Sequence, residues 1–283
     1  MITRRTITDA FLRWLIRIAT YLIVIVVGYI LVDIIIKGLP AMNWEFLSSF
    51  PKRRGTQGGI LPAIMGTLFL VTGTIVVALP LGVASAIYLT EYAKDNRFTR
   101  TIRLAIITLA GVPSIVFGLF GLGLFVLFFG FGPSIVSGSL TLACMILPTI
   151  IVASEEALKA VPQSLREGSL ALGATKWQTI RKNVLPYAVP GIITGSILGI
   201  GRAAGETAPI LLTAAAFFMP KLPRGILDKV MALPYHLFVL TTQVPDAPES
   251  YKYGTALTLI ALVLGINLVA IIIRIRMRRK TRW

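Results

Sequence analysis

Arg202 and Glu206 are charged residues four positions apart in an otherwise apolar stretch of the chain. A guanidinium group is planar and permanently charged, so Arg202 could hold a tetrahedral oxyanion such as phosphate through two parallel hydrogen bonds. Glu206 would neutralise Arg202 whenever no anion is present. Residues at this spacing also meet each other on a helix, so the two side chains could form an ion pair that only fixes helix orientation. The residues alone leave both interpretations open.

Small residues precede the charged pair at regular intervals. Gly191, Gly195 and Gly199 recur every fourth position. At roughly 100° per residue they fall within about 80° of Arg202 and Glu206 on a helix. Glycine at this spacing lets a neighbouring transmembrane helix approach closely. Because charge at membrane depth is costly, we expect this face to carry both charges into the protein interior or a wet cavity.

The composition indicates that these residues belong to an integral membrane protein. Of 283 residues, 55% are hydrophobic and 14% are charged, and the mean hydropathy is +0.81. Soluble domains lie outside this range. The net charge of +16 comes from clusters beside apolar runs, which is typical of membrane topology and not of nucleic-acid binding. The single cysteine, Cys144, lies in an apolar run, so no disulfide framework or cysteine-based metal site is expected.

Six apolar stretches are long enough to cross a bilayer, which takes about 20 helical residues. We predict spans at 15–36, 60–90, 103–129, 135–154, 187–216 and 254–273. The third and fourth spans are separated by the turn residues Gly130 to Pro133. The prediction is an all-α, polytopic membrane protein that forms a single domain over residues 1–283.

The distribution of basic residues predicts which loops face the cytoplasm. Most Lys and Arg residues lie before the first span, after the second, after the fourth and after the sixth. The positive-inside rule therefore assigns both termini and the segment 155–186 to the cytoplasm. The loops 38–58 and 217–252 then face outside, and we expect them to lack helical periodicity. His236, alone in the second of these loops, is predicted to be a surface residue.

The segment 155–186 is polar, rich in helix-forming residues and bounded by apolar regions. Pro162 can begin a helix, because a proline in the first turn loses no hydrogen bond. Gly173 can end that helix, because glycine readily adopts the left-handed conformation. A second helix is expected over 174–185. The prediction is two short helices with a bend between them.

A motif within this segment combines an acidic residue, small residues and a Leu-Pro end. Its members are Arg166, Glu167, Gly168, Ser169, Gly173, Ala174, Trp177, Leu185 and Pro186. The motif resembles the EAA loop of ABC-importer permeases, and the resemblance implies that these residues couple the chain to an ATPase subunit. Gly168 and Ser169 stand where two alanines are usual, and Asn183 stands where isoleucine is usual.

The residues around Arg202 carry a second resemblance. The string RxxGETAP at 202–209 and the passage 58–68 are similar to those of phosphate-importer permeases. Together with the motif above, the resemblance covers residues 55–215. It implies a type I ABC-importer permease of the PstA type, with cytoplasmic coupling helices and a coupling loop at 155–186. Arg202, Glu206 and Thr207 are then expected along the phosphate path.

The same resemblance implies the partners and the location. The partners would be two ATPase subunits, a homologous PstC-type permease, an extracytoplasmic phosphate-binding protein and membrane lipid, with no nucleic acid. The chain has no phosphate-binding P-loop, so we expect it to be non-catalytic and to bind no cofactor, with ATP and magnesium held by the ATPase. The location would be the cytoplasmic (inner) membrane of a bacterium or archaeon.

Three other interpretations stay open. Sulfate and molybdate permeases share the architecture, so the oxyanion could differ. A proton-coupled anion carrier could use Glu206 as a relay and would work without an ATPase. An intramembrane enzyme could use Glu206 as acid or base, although the sequence offers no second catalytic group at a suitable spacing.

Overall fold

The computed structural model describes residues 4–53 and 57–280, and its secondary structure is almost entirely helical. The α-helices in these residues are α1 (Arg4–Gly38), α2 (Trp44–Ser48), α3 (Leu61–Ile87), α4 (Arg97–Ala110), α5 (Ser114–Gly121), α6 (Ile135–Lys159), α7 (Gln163–Ala171), α8 (Lys176–Thr179), α9 (Leu185–Gly205), α10 (Ala208–Thr213), α11 (Leu233–Thr242) and α12 (Glu249–Lys280). Two short antiparallel strands, β1 (Pro51–Lys52) and β2 (Gln57–Gly58), pair with each other. The prediction of an all-α polytopic membrane protein is confirmed.

Five helices in the described part of the chain are long and apolar enough to cross a membrane. They are Phe11–Ala41, Leu61–Tyr92, Ile135–Lys159, Lys176–Gly205 and Glu249–Met277. Two of them include a π-helical turn: Tyr88–Tyr92 extends α3, and Ile180–Val184 joins α8 to α9. These five helices overlap five of the six predicted spans.

The third predicted span, 103–129, is not a continuous helix. α4 and the helix from Ser114 to Phe128 meet at an angle of 104°, so the pair is either one bent span or a re-entrant segment. Pro113 explains the break, because proline has no N–H to donate and disfavours helical geometry in the residue before it.

The fifth predicted span, 187–216, ends earlier than expected. α9 stops at Gly205, the backbone of Glu206 is extended, and α10 begins at Ala208. A continuous helix would bring the ring of Pro209 against the carbonyl of Gly205 and leave that carbonyl without a donor. Pro209 instead occupies the first turn of α10, where no N–H is needed.

The loops 38–58 and 217–252 both contain a helix, contrary to the prediction. α2 lies within the first loop, α11 lies within the second, and α12 begins before the second loop ends. His236 was predicted at the surface but is 3% exposed, and it shares a buried face of α11 with Leu233, Val239 and Leu240. This spacing of three and four residues marks one side of a helix. The stripe is too short to stand out among turn-forming residues in the sequence.

α6 forms the centre of the bundle. It packs against α3 on one side and α9 on another, and its residues Ile146 and Ile150 are 0% and 1% exposed. α1 is the opposite case, because no residue in its most apolar membrane-length window is buried within the chain. Its contacts with the bundle lie on α12, where Gly38 packs against the backbone of Tyr253.

Candidate functional site

The polar segment 155–186 is divided among three helices. Its first residues, to Lys159, belong to α6, and its last residues, from Lys176, belong to the long helix that continues as α9. Only α7 and its short connections cross between them. The predicted second helix, 174–185, is present from Lys176, but it is not a separate short helix, because it continues into α9. A π-helical turn changes the hydrogen-bond register just before Pro186, so the helix accommodates the missing N–H of the proline.

The turn between α7 and α8 follows local chemistry. Gly173 has a φ of +82°, and its N–H donates to the carbonyl of Leu170 at 2.9 Å. Thr175 begins α8 with a capping box, in which its hydroxyl accepts from the N–H of Gln178 and the Gln178 side chain accepts from the N–H of Thr175. The predicted helix end at Gly173 is confirmed.

Arg166 points inward and holds α7 against two other helices. Its Nε and Nη2 donate to the carboxylate of Glu91 at 3.2 and 2.9 Å. Nη2 also donates to the carbonyl of Leu158 at 2.8 Å, and Nη1 donates to that of Val161 at 2.7 Å. Charge-assisted bonds of this kind are strong, and a cation at a helix C-terminus is favoured by the helix dipole. Arg166 therefore joins α7 to the end of α6 and to the end of the α3 span.

Other charged groups surround this pair at the same end of the bundle. Glu155, whose side chain is 9% exposed, lies 3.8 Å from the Nε of Arg103 and 3.5 Å from the Nζ of Lys159. Arg103 also donates from Nη2 to the carbonyl of Leu89 at 2.7 Å. These contacts link α4, α6 and the end of the α3 span. Sequence analysis missed this cluster, because Glu91 and Arg103 lie outside the motif.

Two departures from the EAA pattern contact each other. The hydroxyl of Ser169 accepts from the Nδ2 of Asn183 at 2.9 Å and lies 3.0 Å from the hydroxyl of Thr179. Since Ser169 accepts from Asn183, it can donate its own proton to Thr179, which is 3% exposed. The polar residues therefore connect α7 to the helix that leads into α9.

The other motif residues form the outer surface of the segment or its edge. Glu167, Gly168 and Pro186 are exposed, and Ala174 and Leu185 are partly buried. Trp177 is 54% exposed and the neighbouring Leu172 is 90% exposed. Segment 155–186 thus presents an acidic group and two large apolar side chains to its surroundings.

The glycines of α9 pack against α6 to different degrees. A Cβ at Gly191 would lie 2.7 Å from the methyl group of Ala157, and one at Gly195 would overlap the methyl group of Ala153. At Gly199 the nearest atoms would be 3.6 Å away, on two isoleucines of α6. Glycine is required for close approach at the first two positions and is only accommodated at the third.

Arg202 and Glu206 form an ion pair at the end of α9, with 3.2 Å between Nε and Oε1. Arg202 was expected to face the protein interior or a wet cavity, and this chain alone does not enclose it: its side chain is 40% exposed, against 17% for Glu206. One side of this turn is still packed, because Ala203 and Ala204 are 4% and 1% exposed, whereas a Cβ at Gly205 would meet nothing within 4 Å. Among the described residues, Arg202 makes its hydrogen bond through Nε. Its two terminal nitrogens can still receive an anion in a bidentate manner.

Thr207 lines a cavity of about 610 Å³. Residues of α1, α11 and α12 line it as well, among them Lys252 and Tyr253. Neither Arg202 nor Glu206 is part of that lining.

Asn267 is a polar residue beside the charged pair that sequence analysis missed. Its amide nitrogen lies 3.4 Å from the position of a Cβ on Gly201, immediately before Arg202. Its Oδ1 is buried without a hydrogen-bond partner among the described residues. An amide in the apolar stretch 254–273 is the signal that could have identified it.

Known proteins resemble this chain in both sequence and fold. The profile of the family described as "Binding-protein-dependent transport system inner membrane component" matches residues 78–283. The chain is 33% identical over 279 residues to the probable ABC transporter permease protein YqgI of Bacillus subtilis, covering 94% of this chain and 95% of the relative. It is 36% identical over 284 residues to the phosphate transport system permease protein PstA 2 of Mycobacterium bovis, covering 99% and 91%.

Among solved structures, the fold is similar to a chain of a bacterial ABC transporter involved in the import of the acidic polysaccharide alginate. The TM-score is 0.67, and the match covers 99% of this chain and 100% of that one. The sequences are 15% identical, so this likeness concerns the fold.

Proposed function

Because the chain belongs to the family of binding-protein-dependent transport system inner membrane components, we propose that it is a permease subunit of an ATP-driven importer of inorganic phosphate. The similarity to a phosphate permease over nearly the whole chain supports phosphate as the cargo. Arg202 carries the proposal at the level of chemistry. It is a partly exposed guanidinium on a membrane-length helix with two terminal nitrogens available, which suits a tetrahedral oxyanion.

The exposure of Arg202 suggests that the phosphate path lies between this chain and a second subunit. A charged side chain at membrane depth is costly unless it faces protein or water. A homologous PstC-type permease opposite the exposed face of α9 would enclose Arg202 and complete a polar path. Membrane lipid would cover the apolar surface that remains, including much of α1.

The exposed face of the polar segment would seat on the ATPase. Glu167, Leu172 and Trp177 supply an acidic group and two large apolar side chains, a combination that favours contact with another protein. Two ATPase subunits would serve the two permeases. They would hold ATP and magnesium, while this chain would catalyse no reaction and bind no cofactor.

In this arrangement the chain lies in the cytoplasmic (inner) membrane with its termini and α7 in the cytoplasm. A phosphate-binding protein would deliver the anion at the opposite face. ATPase closure would move α7, and the continuous helix Lys176–Gly205 would carry that movement over roughly 39 Å to Arg202, at about 1.5 Å per residue. Glu206 would release Arg202 when phosphate arrives and pair with it again when phosphate leaves, which keeps binding weak enough for transport.

Phosphate uptake by the complete complex in proteoliposomes tests the role of Arg202. Arg202→Ala and Arg202→Lys should each lower uptake about 10- to 100-fold, because a hydrogen bond to a charged group contributes ~1.5–3 kcal/mol and lysine lacks the planar fork. Arg274→Ala is a matched control, since Arg274 also lies on a membrane-length helix but bonds to Thr194. Normal uptake by an assembled Arg202→Ala complex would remove Arg202 from the path.

Uptake by the wild-type complex in proteoliposomes also tests the two alternatives, another oxyanion as the cargo and a proton-coupled carrier. Uptake of sulfate or molybdate in preference to phosphate would change the cargo and keep the permease. Uptake in vesicles without ATPase subunits would instead indicate a proton-coupled carrier. We expect neither, and we expect ATP-dependent uptake of phosphate.

A further inference from the structure

The contact between Arg166 and Glu91 has the properties of a rigid joint. The side chains are 14% and 9% exposed, and the guanidinium is held at the same time by Glu91 and by two carbonyls at the end of α6. Loss of either partner would leave a buried charge uncompensated, so the pair is costly to open. Exposed ion pairs, by contrast, form and separate freely.

The two spans beside α7 are attached to it in different ways. α9 is connected through the backbone, because Lys176–Gly205 is one helix. The span Leu61–Tyr92 has no nearby chain connection to α7 and is reached through Glu91, 75 residues before Arg166. A second contact beside it is the ammonium of Lys176, which lies 5.0 Å from the ring centroid of Tyr92. That contact is weaker, since Tyr92 is 43% exposed.

The geometry also allows both spans to bend where they approach α7. Glu91 lies in the π-helical turn Tyr88–Tyr92, and the long helix into α9 has its own π-helical turn at Ile180–Val184. Such turns interrupt the regular hydrogen-bond ladder, and they are frequent where helices bend and at functional sites. Each span therefore has a deformable end next to the segment that would receive the push.

We propose that the Arg166–Glu91 pair transmits movement of α7 to the α3 span, so that α3 and α9 respond together to the ATPase. This inference rests on the proposed function. Glu91 acts as a positioning residue, and Arg166 serves the joint from inside the segment while Glu167 and Trp177 face outward. Movement reaches α9 through the backbone and the Ser169 contacts, whereas the Arg166–Glu91 pair is a direct side-chain link from α7 to the α3 span.

The number of phosphate ions transported per ATP hydrolysed measures the joint in the complete complex. Glu91→Ala should lower this ratio by about 2- to 30-fold, the range expected when a coupling residue is removed. Glu91→Gln keeps an acceptor oxygen for Arg166 and should recover part of the ratio. Asp95→Ala is the matched control, because its pair with Arg100 spans 3.9 Å between side chains that are 88% and 80% exposed.

Single-cysteine reporters test which span is disconnected. Val76 on α3 and Leu198 on α9 are 66% and 71% exposed, and each can be changed to cysteine in a chain with Cys144→Ala. ATP should change the thiol-labelling rate at both reporters in the parent complex. With Glu91→Ala, the change should be lost at position 76 and kept at position 198.

If ATP changes the labelling rate at positions 76 and 198 equally in Glu91→Ala, and the phosphate-to-ATP ratio is unchanged, the proposed role of the Arg166–Glu91 pair is refuted. If Glu91→Ala does not assemble, the same two measurements on Glu91→Gln decide the matter. Failure of the proposed function is distinguishable, because the wild-type complex would then show no ATP-dependent phosphate uptake at all.

Discussion

A methyl group added to Gly191, Gly195 or Gly199 should have three different effects on stability. At Gly199 the new methyl would make ordinary contacts at 3.6 Å, whereas at Gly191 it would lie 2.7 Å from the methyl of Ala157. Restoring the ordinary distance at Gly191 requires a shift of about 0.9 Å between α9 and α6, the difference between these values. At Gly195 the overlap with Ala153 is larger still, so the helices must separate further.

Two opposing terms set the magnitude. Replacing glycine by alanine in a helix gains ~0.5–1 kcal/mol, whereas overpacking a close contact costs ~1–3 kcal/mol. Gly199→Ala should therefore be neutral or stabilising by up to ~1 kcal/mol. Gly191→Ala should lose up to ~2 kcal/mol, and Gly195→Ala should lose ~2–3 kcal/mol.

Thermal unfolding of the detergent-purified chain measures this order. A change of ~1 kcal/mol shifts the midpoint of a chain of this size class by about 2–4 °C. The midpoint should be highest for Gly199→Ala, lower for Gly191→Ala and lowest for Gly195→Ala. Adding Ala153→Gly should recover much of the loss at Gly195, because it removes the overlapping methyl. A Gly195→Ala chain as stable as Gly199→Ala would refute the close packing of α9 on α6.

Three further changes test the polar segment and α11 by unfolding measurements. Gly173→Ala should lower the free energy of unfolding by ~1–2 kcal/mol, because residue 173 has a positive φ. Gly168→Ala lies in a regular helix with open space around it and should raise the free energy of unfolding by up to ~1 kcal/mol. Equal effects of the two changes would exclude the left-handed turn. Ser169→Ala should cost ~1–3 kcal/mol because it leaves a buried threonine hydroxyl unpaired, and an unchanged midpoint would contradict that bond. Burial lowers the pKa of His236, which lies outside the membrane-length helices, to about 4. Below pH ~6.5 the unfolded chain binds a proton at this histidine and the folded chain does not, so the free energy of unfolding should fall by up to ~3 kcal/mol as the pH drops toward 4. His236→Gln should remove most of this pH dependence.

Local features of the sequence predicted several elements well. The long apolar stretches predicted the membrane-length helices, and Gly173 predicted the end of α7, because helix length and turn geometry depend on nearby residues. The failures came from prolines in extended apolar regions. Pro113 and Pro209 each interrupt a predicted span, yet Pro80, Pro148 and Pro190 lie inside helices. The presence of a proline therefore does not show whether a helix ends or continues there, since the surrounding packing decides that.

The motif between 166 and 186 illustrates the same limit at the candidate site. Its residue types predicted helices and a turn, but they did not indicate that Arg166 points inward to Glu91 while Trp177 points outward. Arg202 and Glu206 were predicted to meet because they are four residues apart on one helix, and they do. Their exposure could not be predicted, because it depends on which side of this turn the neighbouring helices cover, and they cover Ala203 and Ala204 instead.

By itself, the sequence determined the membrane class of the protein, its helical segments and the pairing of Arg202 with Glu206. Each depends on composition or on residues within a few positions of one another, so the chain's local chemistry is sufficient. Only the tertiary structure decided the partners of Arg166, the burial of His236 and the exposure of Arg202. These depend on contacts such as Arg166 with Glu91, 75 residues apart, which form only when separate helices pack.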